Sequence, residues 1–437
     1  MPTNTKNNRS ICAYPWTHSY LGSRYDRRLC CVANPIDSME KTTDDEFWNS
    51  EYMKTVRKKM IRGRRIRDCT ACYEFEDTGI SSLRQESEQD TDFDYFIEHT
   101  TKEGETDLLP NYYDYRTIHC NLQCVSCGDL YSSTHIKLNR KLFGAPKKDE
   151  FKSDKVFETS MSEEVKQAIS EKRLENLYWA GGEPMISNVH WDVIEYIAEL
   201  RADLDYEDYV NSIKMHYNTN LTHLYWKGKH IPTLLAPNQP LIHPSIDGTH
   251  ETMEYTRDGA KWDIIEKNWN EYYDILNQRD TFGIASVLSA PVIFDIDRWF
   301  DFFEPYDPWL HNHKFFAALQ AYPYHNNSAA MDIRYYPQYI FDRVIKYAIK
   351  RFEKSKLRNS EKSVQILKSY IVDKKNLTNI FEVEKNIKIM KALTLNRDKF
   401  MVSGRSYGEL LYIIDKEAFD WYESIEPDPN PFGQINA

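Results

Sequence analysis

Cysteine placement constrains this chain more than any other feature. All eight cysteines of the 437 residues lie before residue 128: Cys12, Cys30, Cys31, Cys69, Cys72, Cys120, Cys124 and Cys127. Scattered core thiols would not crowd into one end of a chain, whereas metal ligands would. The last three form C-x-x-x-C-x-x-C, a spacing that lets three sulfurs converge from one tight loop. Zinc in a structural role takes four closed ligands, and this loop has no fourth nearby. His119 is adjacent, but the strand end aims it toward packing.

Bulk composition narrows the partners. Lysine and arginine total 56 against 67 acidic residues, a formal charge of −11. A duplex nucleic-acid binder needs a basic surplus to neutralise phosphates, so that class is disfavoured. No apolar run is long enough to span a membrane, and residues 1–10 are polar without a secretory core. The expectation is a cytoplasmic protein with reduced thiols and no membrane partner. Aromatic residues reach 14%, including 30 tyrosines, ample for a large core.

Four zones follow along the chain. Residues 1–85 hold five cysteines and few apolar runs, a small unit that a metal would staple. Residues 86–111 form an acidic linker (Glu86, Glu88, Asp90, Asp92, Asp94, Glu98) read as a solvated connection with room for one short helix. Across 112–330, strand-like runs at 113–118, 174–179, 213–218, 241–246, 283–288 and 315–321 alternate with amphipathic stretches such as 190–200 and 262–276. Strand, crossover helix and strand predict an α/β fold, a partial (β/α)6 parallel barrel whose post-strand loops open on one rim. Residues 331–437 read as a helical C-terminal extension, with helices at 339–354, 362–372 and 383–393. That zone offers no catalytic pattern.

The cysteine loop follows the first barrel strand, where three thiolates would hold three irons of a [4Fe-4S] cluster and leave the fourth open. After the second strand comes Leu177-Tyr178-Trp179-Ala180-Gly181-Gly182-Glu183-Pro184. Its paired glycines allow a tight turn and close approach to a ligand, and the proline stiffens it. An ordinary strand-to-helix turn would use the same residues. Together the two loops resemble the radical SAM superfamily, and the resemblance covers roughly the first 330 residues. It implies an open iron that chelates S-adenosylmethionine, reductive cleavage of its S–C bond, and hydrogen-atom abstraction from a substrate.

Carried over by that resemblance, Gly181, Gly182, Glu183 and Pro184 would border the methionine end of the cofactor. Asn218 and the Ser245 and Asp247 pair, ending the third and fourth strands, would reach its ribose and carboxylate. Arg257, in Glu254-Tyr255-Thr256-Arg257, would pair with the carboxylate, a role that suits a guanidinium fork. Each could equally be a capped loop or a surface salt bridge. No residue identifies itself as catalytic.

Cys69-Thr70-Ala71-Cys72 could be joined by Cys12 and one of Cys30 and Cys31 in a four-thiolate site. Tyr14-Pro15-Trp16, Phe47-Trp48-Asn49-Ser50, Glu76-Asp77-Thr78-Gly79 and Ser82-Leu83-Arg84 complete a layout resembling the SPASM module or its shortened twitch form. Here the module stands in front of the barrel rather than behind it. This implies an auxiliary iron–sulfur cluster on Cys12, Cys30, Cys69 and Cys72; spacing alone also admits zinc. The basic stretch 54–67 could attract an acidic peptide, a reductase or nucleic acid, or be a solvated helix face. Relatives with such modules commonly act on a peptide or protein side chain, the expected substrate here, with flavodoxin or ferredoxin as electron donor. A small molecule such as a sugar or nucleotide precursor is the second reading, and a non-catalytic zinc-binding interaction protein the competing class.

Overall fold

Strands and helices alternate through the middle of the chain as the sequence predicts. The computed structural model describes residues 10–36, 40–77, 81–89, 91–143, 154–276, 282–306, 312–317, 332–357, 360–377 and 380–431. The chain divides into two units, one of Met1–Ile118 and Phe151–His216, the other of His119–Glu150 and Tyr217–Ala437.

The first unit carries β1 (His18–Leu21), β2 (Arg27–Arg28), β3 (Tyr112–Thr117), β4 (Asn176–Gly181) and the start of β5 (Lys214–Thr219), in the order β2-β1-β3-β4-β5. β1 runs parallel to β3, and β3 parallel to β4, while β2 is antiparallel to β1. The N-terminal zone thus contributes strands to the sheet. Tyr113 and Tyr115 point to one face, where Tyr113 Oη donates to Asp44 (2.9 Å) and Tyr115 Oη to Glu164. Helix Lys155–Ser170 starts on its Asp154 cap and buries Phe157, Met161, Val165 and Ile169 at helical spacing. Alternation sends Tyr20, Asp114, Arg116 and Tyr178 to the other face. There Arg116 pairs with buried Asp114 and lies 4.5 Å over the Tyr178 ring.

A separate apolar cluster under the N-terminal cysteines includes Ile11, Trp16, Leu29, Phe47, Trp48, Val56 and Met60. The acidic segment is more than a solvated connection. It carries the one short helix expected, Phe93–Glu98, and Phe93, Phe96, Ile97 and Leu108 pack on that cluster. Phe96 stacks on Trp16 at 5.8 Å, and Trp48 Nε1 donates to the Leu108 carbonyl at 2.7 Å. Charge dominates the composition there, yet four apolar side chains suffice to anchor it.

The second unit holds β6 (Leu241–Pro244), β7 (Gly283–Leu288) and β8 (Asn312–Ala317), the last two parallel and in register. β6 stops at Pro244; Ser245 makes an isolated bridge to Ala285 before the chain turns at Gly248 (φ +94°). β8 begins three residues earlier than expected, and 318–321 lie outside the described residues. Helix Trp262–Leu276 buries Trp262, Ile265, Trp269, Tyr272 and Leu276. Beyond residue 331 the described residues form α-helices Gln338–Lys354, Ser360–Asn376, Ile380–Asp398, Tyr407–Ile414 and Lys416–Ser424. Among the described residues no helix is long and apolar enough to cross a membrane.

Candidate metal centre

The loop of Cys120, Cys124 and Cys127 is bound on both sides by its own unit. Gln123–Cys124 pairs antiparallel with Arg257–Asp258, in register Cys124 to Arg257, and Val125 N–H donates to the Thr256 carbonyl at 2.8 Å. Cys127 N–H turns back to the Cys124 carbonyl (3.1 Å), which also accepts from His135 Nε2 (2.9 Å). That bond fixes the His135 tautomer, because a carbonyl only accepts. Cys120 N–H donates to Ser133 Oγ at 3.2 Å. Asn121 sits in a side-chain network, accepting from Asn220 Nδ2 and donating to Thr222 Oγ1, both at 2.9 Å. Gly259 (φ +99°) lies against the loop; a Cβ there would come within 3.2 Å of the Leu122 side chain.

Cys124 is buried and Cys120 and Cys127 are half-buried. Burial pushes the Cys124 thiol well up; Cys120 and Cys127 are near enough to raise it further, and Arg257 opposes them. Cys127 is raised by burial as well. Two desolvated thiols with Cys120 beside them are costly as bare thiolates and suit ligation to a cationic centre. Arg257 is half-buried, with Nη2 3.0 Å from Asp247 Oδ2 and Nη1 3.8 Å from Cys124 Sγ. Its Nε–H is buried with no hydrogen-bond partner, so an anionic group fits beside it. These residues fit a cluster held by three cysteines.

Of the other predicted residues, Asp247 and Ser245 lie in the same unit. Asp247 Oδ1 accepts the Val287 N–H at 2.7 Å, and Ser245 N–H donates to the Thr219 carbonyl at 2.8 Å. Asn218 is half-buried on β5. Asn220, two residues on and 5% exposed, is the asparagine that reaches the cysteine loop, through Asn121. Sequence reasoning passed over Asn121, Thr222 and His135; Asn220 belongs to the Asn218-Thr219-Asn220 triplet that ends the third predicted strand, and that triplet was the available signal.

Gly181, Gly182, Glu183 and Pro184 belong to the first unit. Gly181 has φ +100°, and a Cβ on it would fall 2.4 Å from the Thr117 carbonyl oxygen, which also accepts the Gly182 N–H at 2.6 Å. Only glycine fits that cradle. Glu183 is fully buried and caps the turn Pro184–Ile186 by accepting Met185 N–H at 3.0 Å. Trp191 Nε1 holds the same turn through the Met185 carbonyl, at 2.9 Å.

In the N-terminal zone Cys12, Cys30, Cys69 and Cys72 line one cavity with Tyr14, Leu29, Met60, Leu83 and Arg84. Cys31 is exposed and is absent from that lining. Burial pushes the Cys12 thiol up to about 11, and Cys30 and Cys69 upward too. Arg84 is 4% exposed and gripped by Glu76, whose carboxylate accepts Nε (2.8 Å) and Nη2 (2.7 Å). The basic helix Glu51–Ile61 turns Arg57 inward, where Nε donates to the Pro15 carbonyl at 2.8 Å. Among the described residues no three His, Cys, Asp or Glu side chains form a group that could hold a single metal ion.

No protein-family model matches the chain, and no curated protein does. Among solved structures, "Native anSMEcpe with bound AdoMet" is similar at 19% identity and TM-score 0.36, over 55% of this chain and 61% of that one. SuiB from Streptococcus suis is similar at 16% identity and TM-score 0.34, over 55% and 46%. The same protein bound to precursor peptide SuiA is similar at 12% identity and TM-score 0.37, over 70% and 64%. The chain spans less than two thirds of each. The chemistry of the site stands on this chain's own residues.

Proposed function

We propose that this chain is a radical SAM enzyme that abstracts a hydrogen atom from a peptide or protein side chain. The observation that carries the reading is the neighbourhood of Cys120, Cys124 and Cys127 on one braced loop, with the half-buried Arg257 against it. Cys120, Cys124 and Cys127 would hold a [4Fe-4S] cluster and leave one iron to S-adenosylmethionine. Bound together, the two groups supply one-electron cleavage of a sulfonium and hydrogen abstraction.

The chain's own residues orient and shield. On the family resemblance, Gly181 and Gly182 would present backbone to the cofactor's methionine end, while Glu183 caps the turn that follows. Ser245, Asp247 and Asn218 stand at strand ends, where barrel enzymes gather binding groups. Cys12, Cys30, Cys69 and Cys72 line a cavity suited to an auxiliary cluster, and Arg84 offers it a fixed positive charge. Flavodoxin or ferredoxin is the proposed electron donor. A peptide is preferred as substrate on the module's resemblance, and the similar solved structures include one bound to a Cp18Cys peptide and one bound to precursor peptide SuiA.

The test is anaerobic purification with iron and sulfide analysis, followed by incubation with S-adenosylmethionine and a strong reductant. Wild type is expected to release 5′-deoxyadenosine, and Cys124→Ala to release none. Zinc without iron, or equal product from the two proteins, contradicts the reading.

A further inference from the structure

Arg257 is set against the cysteine loop by more constraints than a carboxylate clamp needs. Backbone pairing makes it the register partner of Cys124. Asp247 then holds Nη2 at 3.0 Å. The Asp247 carboxylate cannot swing away, because its other oxygen accepts the Val287 N–H at 2.7 Å. Its carbonyl is fixed as well, accepting Thr256 Oγ1 at 2.7 Å. With two of its positions fixed, the guanidinium has its Nη1–H aimed at Cys124 Sγ, 3.8 Å away, within hydrogen-bond reach for sulfur. Cys124 is the buried member of the three thiols, so solvent screens this contact least.

We infer that Arg257, held by Asp247, is a positioning residue that donates an N–H···S hydrogen bond to the Cys124 sulfur and raises the reduction potential of the cluster bound there. The inference rests on the proposed function and adds to it. Reduction adds negative charge, and a nearby cation with an N–H donor stabilises the more negative state. A neutral thiol accepts poorly; a metal-bound thiolate accepts well and shortens such bonds. Any contact from Nε to a cofactor carboxylate is compatible, since it uses a different nitrogen.

The experiment is a spectroelectrochemical titration of anaerobically reconstituted full-length protein without S-adenosylmethionine, which removes any effect through the cofactor's carboxylate. Arg257→Gln is expected to disfavour the reduced cluster about tenfold, a potential about 59 mV lower for a one-electron couple. A second couple from the N-terminal cysteines stays in place. Arg257→Lys keeps the charge without the fork and falls between the two, giving a second variant should the glutamine protein fold poorly. Lys261→Gln, an exposed cation on the same segment, is expected to match wild type. Wild-type potentials in both Arg257 variants, or an equal shift in Lys261→Gln, would overturn the inference and leave the proposed function standing. Wild-type protein that binds no redox-active iron would overturn both.

Discussion

The Asp258 carboxylate accepts the backbone N–H of Val402 at 2.8 Å and of Ser403 at 2.9 Å. Asp258 sits in the two-residue ladder that braces Gln123 and Cys124. The same stretch is tied down again by Tyr255 Oη to Asp398 (3.0 Å) and Arg397 Nη2 to the Gln123 carbonyl (3.4 Å). The helical extension therefore clamps the back of the cysteine loop.

Removing that clamp has a predictable cost. Asp258 is 1% exposed, so Asp258→Ala loses two part-buried, charge-assisted bonds to the amides of Val402 and Ser403. The expected destabilisation is about 2–4 kcal/mol, read from denaturant midpoints, with lower iron retention. An unchanged midpoint would show that the extension does not brace the loop.

Gly181→Ala tests the backbone cradle. A Cβ 2.4 Å from a carbonyl oxygen at φ +100° cannot be accommodated without shifting β3 or β4. Strain of about 1–3 kcal/mol is expected, together with S-adenosylmethionine binding weakened at least tenfold, about 1.4 kcal/mol. Calorimetric titration against wild type measures the second quantity; wild-type affinity would remove Gly181 from the cofactor site.

The adjacent cysteines separate cleanly. Cys30 lines the N-terminal cavity and Cys31 is exposed. Cys30→Ser is expected to lose the iron of the auxiliary site, and Cys31→Ser to retain it. Iron and sulfide analysis of the two variants checks this; the reverse pattern would assign Cys31 as the ligand.

Stability should fall on mild acidification. Burial lowers His18 and His190 from the ordinary 6.5 to about 3. Between pH 6.5 and 3 the unfolded chain binds more protons at these two sites, so stability is lost as pH falls through that window. Asp295 opposes this: burial raises it from 3.8 to about 6, so the native state gains protons there below pH 6. Among these three groups the two histidines outweigh the carboxyl, and together they contribute a loss on the order of 2 kcal/mol from pH 6.5 to 5. Thermal melts across that range measure it, and a flat or rising Tm contradicts it.

Much of the architecture was legible because it rests on local periodicity. The helix at 262–276 and the strand at 283–288 fall where alternation and helical spacing place them. The parallel pairing of β1 with β3 was not legible, since four buried residues in a cysteine-rich zone carry no periodic signal of their sheet partner. Nor was the clamp on Asp258: an aspartate at the end of a strand reads as surface charge until tertiary contacts bring 402 and 403 to it. At the site the cysteines and glycines announced themselves by spacing. Asn121, Thr222 and His135 did not, because their roles depend on which backbone and side chains the fold places opposite them.

The account depends on one iron of the Cys120, Cys124 and Cys127 cluster lacking a protein ligand. Electron paramagnetic resonance of the reduced, reconstituted protein with and without S-adenosylmethionine tests this directly. A cluster signal that changes on addition of the sulfonium, and is lost in Cys124→Ala, is the predicted result. Identical spectra with and without it, from protein that contains the cluster, would contradict the account.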